Sequence, residues 1–127
     1  MVGRLQQKFR NERPDGSLGD AALGVLMRLH KQGPKSLTEL SELHGVSPAS
    51  MSKSVNRLTS AGYALRSRDP EDKRKVLFST TAEGDKVARA ARAERNAWLS
   101  DQLNALSRQD RTVIERAIAA LNKIAGV

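Results

Sequence analysis

Two helix starts on either side of one glycine constrain this 127-residue chain more than any other feature. Ser36 followed three residues later by Glu39 has the form of a capping box, in which hydroxyl and carboxylate satisfy each other's backbone N–H groups at a helix N-terminus. Leu37, Leu40 and Leu43 supply the apolar face of a short helix. Gly45 is placed to end it in left-handed backbone. Ser47-Pro48 then starts a new helix at once, because a serine oxygen caps well and a proline at the first helical position forfeits no hydrogen bond. Met51, Val55 and Leu58 form the inner stripe of this second helix, and Gly62 closes it. Helix, tight glycine turn, helix is the spacing of a helix-turn-helix, whose second helix is free to lie in a major groove.

The outward face of that second helix decides what it can meet. At about 100° per residue, Ala49, Ser50, Lys53, Asn56 and Arg57 lie opposite the apolar stripe, and all are small, polar or cationic. From Leu43 to Arg68 the chain carries no acidic residue, while Lys53, Arg57, Arg66 and Arg68 are present. Lys plus Arg outnumber Asp plus Glu 22 to 14, a net charge of +8, so a polyanion approaches this surface without repulsion. On its own, such a cationic face is as well explained by solvation as by DNA contact.

Rival chemistries lack their residues. With no cysteine there is no disulfide framework, thiolate zinc site or thiol redox switch. His30 and His44 have no carboxylate at ligand spacing, so no metal is expected. Nucleophile-elbow, zinc-protease and dinucleotide motifs are missing, and Gly19 to Gly24 has phosphate-loop spacing but runs into Val25-Leu26 instead of Lys-Ser/Thr. An enzyme is therefore not expected. A single-strand RNA binder would want stacking rings, whereas Phe9, Tyr63, Phe78 and Trp98 are scattered and mostly suit a core. The longest apolar run, Ala21 to Met27, is seven residues, and the charged N-terminus lacks the core of a secretory signal, so a soluble cytoplasmic protein without a membrane partner is expected.

The rest of the chain surrounds the helix pair. Leu5 and Phe9 share a face of a short N-terminal helix that stops at Pro14-Asp15-Gly16, and Ser17 caps a helix with Leu18, Ala22, Val25, Leu26 and Leu29 inward. After Gly62, Tyr63–Ser67 and Val76–Thr80 read as two strands around the charged run Arg68 to Lys75, a candidate wing whose acids build the turn and whose later cations form the tip. Thr81 opens a long alanine-rich helix, with Val87, Ala90, Ala91, Glu94, Trp98 and Leu99 on its packing side. Ser107 with Asp110 opens a last helix with Ile114, Ala117, Ile118, Leu121 and Ile124 on one stripe. A terminal helix this apolar needs a partner, and a two-fold homodimer built from the N- and C-terminal helices is the economical one.

This order resembles the MarR family of bacterial winged helix-turn-helix regulators. The likeness is strongest over Ser47–Gly84, where Ser52-Lys53, Arg57-Leu58, Gly62-Tyr63, Arg66, Asp69, Asp72, Arg74, Thr81 and Gly84 fall at the family's motif positions. It implies a mainly α fold with a small β-hairpin wing: an arm over 1–16, a DNA-binding lobe over 17–81, and dimerisation helices over 82–127. It further implies a homodimer on a pseudo-palindromic operator in double-stranded DNA, acting as a repressor and released by a small aromatic or phenolic effector. The DNA-binding residues it implies are Ser47, Ala49, Ser50, Ser52, Lys53, Asn56 and Arg57 on the recognition helix, and Arg68, Lys73, Arg74 and Lys75 on the wing. Asp69 and Asp72 support the wing, and Arg74 enters the minor groove. Met27 and His30 lie near the family's ligand region, although ordinary core and partly exposed helix roles explain them as well. No cofactor is implied. A non-specific architectural DNA-binding protein with the same charges is the alternative.

Overall fold

The computed structural model describes residues 18–126; the expected N-terminal helix about Leu5 and Phe9 and the Ser17 cap lie outside them. The elements run α1 (Gly19–Gln32), β1 (Lys35–Ser36), α2 (Leu37–His44), α3 (Pro48–Ser60), β2 (Ala64–Arg68), β3 (Val76–Thr80), α4 (Ala82–Asn104) and α5 (Arg108–Ala125). The chain divides into two compact units at Ala93/Glu94.

In the first unit the core is assembled from one stripe of each helix. Ala22, Val25, Leu26 and Leu29 of α1 meet Leu40 of α2 and Met51, Val55 and Leu58 of α3, with Ala64, Phe78 and Ala88 closing the cluster. Burial of the larger of these side chains, each contributing roughly 1.5–3 kcal/mol when fully enclosed, holds the inner side of α3 to the lobe. Most of its other side is left to solvent.

The helix boundaries follow the capping residues. Ser36 Oγ accepts from the Glu39 N–H at 3.2 Å while Glu39 Oε1 accepts from the Ser36 N–H at 3.3 Å, so the capping box is complete. Gly45 ends α2 in left-handed backbone (φ 63°), and Ser47 Oγ accepts from the Ser50 N–H at 3.1 Å to start α3. α1 begins after Leu18, which makes no side-chain cap bond. One expectation is corrected here. In α2 the inner residues are Leu40 and Ser41, and Leu43 is 46% exposed. Ser41 can be buried because its hydroxyl donates to the Leu37 carbonyl at 2.9 Å, which satisfies it within its own helix.

The wing is a three-stranded antiparallel sheet of order β1-β3-β2, not a bare hairpin. Lys35 pairs with Phe78 and Ser36 with Leu77 on one side of β3, and Arg66 pairs with Phe78 on the other. The same Ser36 thus closes a strand and caps a helix, which anchors the wing to the start of α2.

α4 is joined to the end of the recognition helix by a tight junction. Thr81 Oγ1 donates to the Gly62 carbonyl at 2.7 Å and accepts from the Gly84 N–H at 3.0 Å, while the Thr81 N–H donates to the Tyr63 carbonyl at 3.1 Å. Gly84 is buried here, and a Cβ at this position would overlap the Tyr63 carbonyl. Gly84→Ala is therefore expected to cost about 3 kcal/mol, the upper end of ordinary overpacking, read as a lowered urea midpoint at constant m. Gly84 and Ala88 form the inner side of this segment; Ala90, expected there, is exposed.

The second unit comprises the end of α4 and α5. Ser107 Oγ accepts from the Asp110 N–H at 3.1 Å to start α5, and Gly126 ends it. No residue of α5 is buried, and Val113, Ile118, Leu121 and Ile124 are 51–85% exposed. Among the described residues no helix is long and apolar enough to cross a membrane.

Candidate nucleic-acid interface

The exposed side of α3 is the side its core stripe leaves over. Ser47, Ala49, Ser50, Lys53, Asn56 and Arg57 are exposed and Ser52 is half-buried, whereas Met51, Ser54, Val55 and Leu58 face inward. The Ser47 hydroxyl is committed to the cap, accepting from the Ser50 N–H and donating to Ser50 Oγ at 3.1 Å. No acid stands in the first turn, so the helix N-terminus keeps its positive end uncompensated. Lys53 makes no ion pair among the described residues.

The tip between β2 and β3 is built by its own acids. Asp69 Oδ1 accepts from the Glu71 N–H at 2.9 Å, and Asp72 Oδ1 accepts from the Arg74 N–H at 3.1 Å, the side-chain turns that short carboxylates make. Backbone bonds from Asp69 N to Lys75 O and from Lys75 N to Asp72 O, both 2.9 Å, close the tip. Asp72 Oδ1 also lies 3.4 Å from Arg74 Nε, and the Arg74 side chain is 94% exposed. The guanidinium therefore stands in solvent with its stem oriented by the turn beneath it.

Not every cation of the predicted set stands clear. Arg68 Nη1 donates to the Lys73 carbonyl at 2.9 Å, so Arg68 braces the tip from within. Lys75 Nζ lies 3.2 Å from Glu39 Oε1, tying the wing to the capping box of α2. The Ser36 N–H, and after it Lys75, hold the Glu39 carboxyl below its ordinary range. Arg57 Nη1 donates to the Leu18 carbonyl at 2.9 Å, at the start of α1. Sequence reasoning did not find these tethers, because each joins residues whose partners are set by tertiary packing.

Between α3, the start of α2 and the wing runs a groove of about 760 Å³, whose lining includes Ser52, Asn56, Arg66, Arg74 and Lys75. Arg66, absent from the predicted set, lies with its guanidinium 5.6 Å from the Phe78 ring centroid. Strand alternation puts it on the face of the buried Ala64, a signal available beforehand. His30 and Met27 are apart from this surface. His30 Nδ1 lies 2.9 Å from Asp85 Oδ1, and that bond is the main cause holding the Asp85 carboxyl below its usual range. Met27 is partly buried against the core.

A helix-turn-helix whose second helix is flanked by a small antiparallel sheet defines a winged-helix DNA-binding protein. The family model described as MarR family matches residues 20–76. An uncharacterised HTH-type transcriptional regulator of Mycobacterium bovis is 30% identical over 116 residues, spanning 91% of this chain and 81% of that protein. Among solved structures, the YusO protein of Bacillus subtilis aligns at a TM-score of 0.74 with 24% identity, over 96% of this chain and 89% of its own. FabT of Streptococcus pneumoniae, solved in complex with DNA, aligns at 0.78 with 17% identity, over 98% and 94%. The chain belongs to the MarR family of helix-turn-helix transcriptional regulators, and is by that membership a DNA-binding regulator and not an enzyme.

Proposed function

We propose that this regulator works as a cytoplasmic homodimer, placing its two α3 helices in successive major grooves of a pseudo-palindromic operator and its two wings in the flanking minor grooves, and so represses transcription. The observation that carries this reading is the solvent face of α3, free of acids, beside a wing whose Arg74 is almost fully exposed. Ser50, Ser52 and Asn56 are the side chains of that face able to reach base edges. Lys53, Lys73 and Arg74 supply charge to phosphates and groove, with Arg68 and Lys75 acting partly through the wing they brace. The unpartnered apolar stripe of α5 supports the dimer, and FabT, with which this chain shares its fold, has been solved on DNA.

Release by a small aromatic or phenolic ligand belongs to the same reading. Such a ligand acts only by binding a DNA-incompetent arrangement of the dimer better than the competent one, since equal affinity shifts nothing. Met27 and the His30–Asp85 pair are the positions to probe for it.

A salt-resolved titration tests the proposal, comparing DNA upstream of the protein's own gene with a scrambled duplex of equal length. With about six phosphates neutralised per dimer, log K is expected to fall with log salt at a slope near −5. The upstream duplex is expected to bind at least about 10³-fold tighter than the scrambled one. Equal, salt-steep binding to both, and to duplexes enriched from random sequence, would make the protein architectural and overturn the operator reading.

A further inference from the structure

The recognition helix is held from its solvent side as well as from its core side. Arg57, in the last turn of α3, sends Nη1 to the Leu18 carbonyl at 2.9 Å, a bond between residues thirty-nine apart in the chain. Leu18 is the residue from which α1 starts, and its own side chain makes no cap bond. The approach needs Gly19. Its backbone is left-handed at φ 76°, and a Cβ there would sit 3.1 Å from Arg57 Nη1. Core contacts grip α3 along one stripe, which includes the small Ser54, so rotation about that stripe, a roll, is the motion they oppose least. A bond at the solvent edge opposes that roll, and Lys53, one turn earlier, and the neighbouring Asn56 move with it.

We propose that Arg57 is a positioning residue: it fixes the rotation of the recognition helix through the Leu18 carbonyl and does not neutralise a phosphate. This rests on the DNA-binding reading above. Arginine has five N–H donors, so one bond to Leu18 does not by itself bar a phosphate, and the salt dependence separates the two roles.

The experiment compares wild type, Arg57→Met and Gly19→Ala on the tightest duplex selected from random sequence, across salt. Arg57→Met is expected to lose about tenfold in affinity, less than the full worth of the two bonds lost per dimer because each is made in the free protein too, at an unchanged salt slope. A phosphate contact in each half of the dimer would instead make the slope shallower by about 1.8, and that result overturns the proposal. Gly19→Ala keeps every charge but crowds the guanidinium, and is expected to reproduce the loss of affinity at the wild-type slope. Unchanged affinity in both variants, with only a lower melting temperature, would leave Arg57 a purely structural residue and also overturn it. Should Arg57→Met not fold, Arg57→Lys keeps the charge without the planar fork, and full retention of affinity there counts against the proposal. Amide exchange in the first turn of α1, measured without DNA, is expected to accelerate in Arg57→Met. Acceleration supports the strut even if no operator is found, and protection equal to wild type sinks it independently of the DNA reading.

Discussion

Arg74→Ala is expected to weaken operator binding by about 4 kcal/mol per dimer, near a thousandfold, at about 2 kcal/mol for each arginine removed from a groove. The expectation follows from how the tip is made. Asp69 and Asp72 spend their carboxylates on the backbone N–H groups of Glu71 and Arg74, which rigidifies the turn and leaves the Arg74 side chain 94% exposed above it. A guanidinium presented this way is desolvated only by what it enters, and a narrow minor groove, where phosphates on both strands deepen the negative potential, favours it most. Asp72 contributes orientation, not strength: an exposed pair of this kind is worth under about 1 kcal/mol, so Asp72→Asn is expected to have a much smaller effect than Arg74→Ala. Sedimentation should show the Arg74→Ala dimer intact, because Arg74's bonds are to Asp72 in the wing and the dimer stripe is on α5. Affinity equal to wild type would remove the wing from the interface.

What the sequence disclosed about this surface, and what it did not, divides along a physical line. The helix pair was legible because its boundaries are written in local chemistry: Ser36 with Glu39, Gly45, and Ser47 with Pro48 act within a few residues of themselves. The turn at the wing tip was legible for the same reason. β1 was not, since two residues carry no period, and Lys35–Ser36 become a strand only because β3 offers Leu77 and Phe78 as partners. Leu43 is misplaced by the pattern because a leucine at helical spacing outweighs a serine in any hydrophobic pattern, yet Ser41 bonds its own helix and can be buried, while Leu43 is 46% exposed. Cations show the same limit. Their number and sign are local, whereas Arg57 on Leu18, Lys75 on Glu39 and Arg68 on the Lys73 carbonyl are decided by the fold. Three of the cations predicted to meet DNA thus have structural partners first.

Leu121→Glu is expected to convert the dimer to monomers at micromolar concentration and to lower operator affinity about 10³-fold. α5 has eighteen residues and none of them is buried, with Val113, Ile118, Leu121 and Ile124 left 51–85% exposed. Helices of this length draw most of their stability from a packed apolar face, so the proposed homodimer would bury this stripe. In a two-fold interface the same patch serves both chains, and a glutamate at 121 places a carboxylate from each subunit in one apolar seam. Separating the subunits breaks one binding event into two, and the second half-site then loses the millimolar effective concentration that the dimer provides. The lobe itself should be untouched, because its core lies wholly in the first unit, with Leu26, Leu40 and Leu58 fully buried there. Leu121→Met, which keeps the apolar surface, is the matched control and should dimerise as wild type. A Leu121→Glu protein that still sediments as a dimer would move the interface away from this stripe, and a monomer that binds the full operator as tightly as wild type would separate dimerisation from DNA recognition altogether.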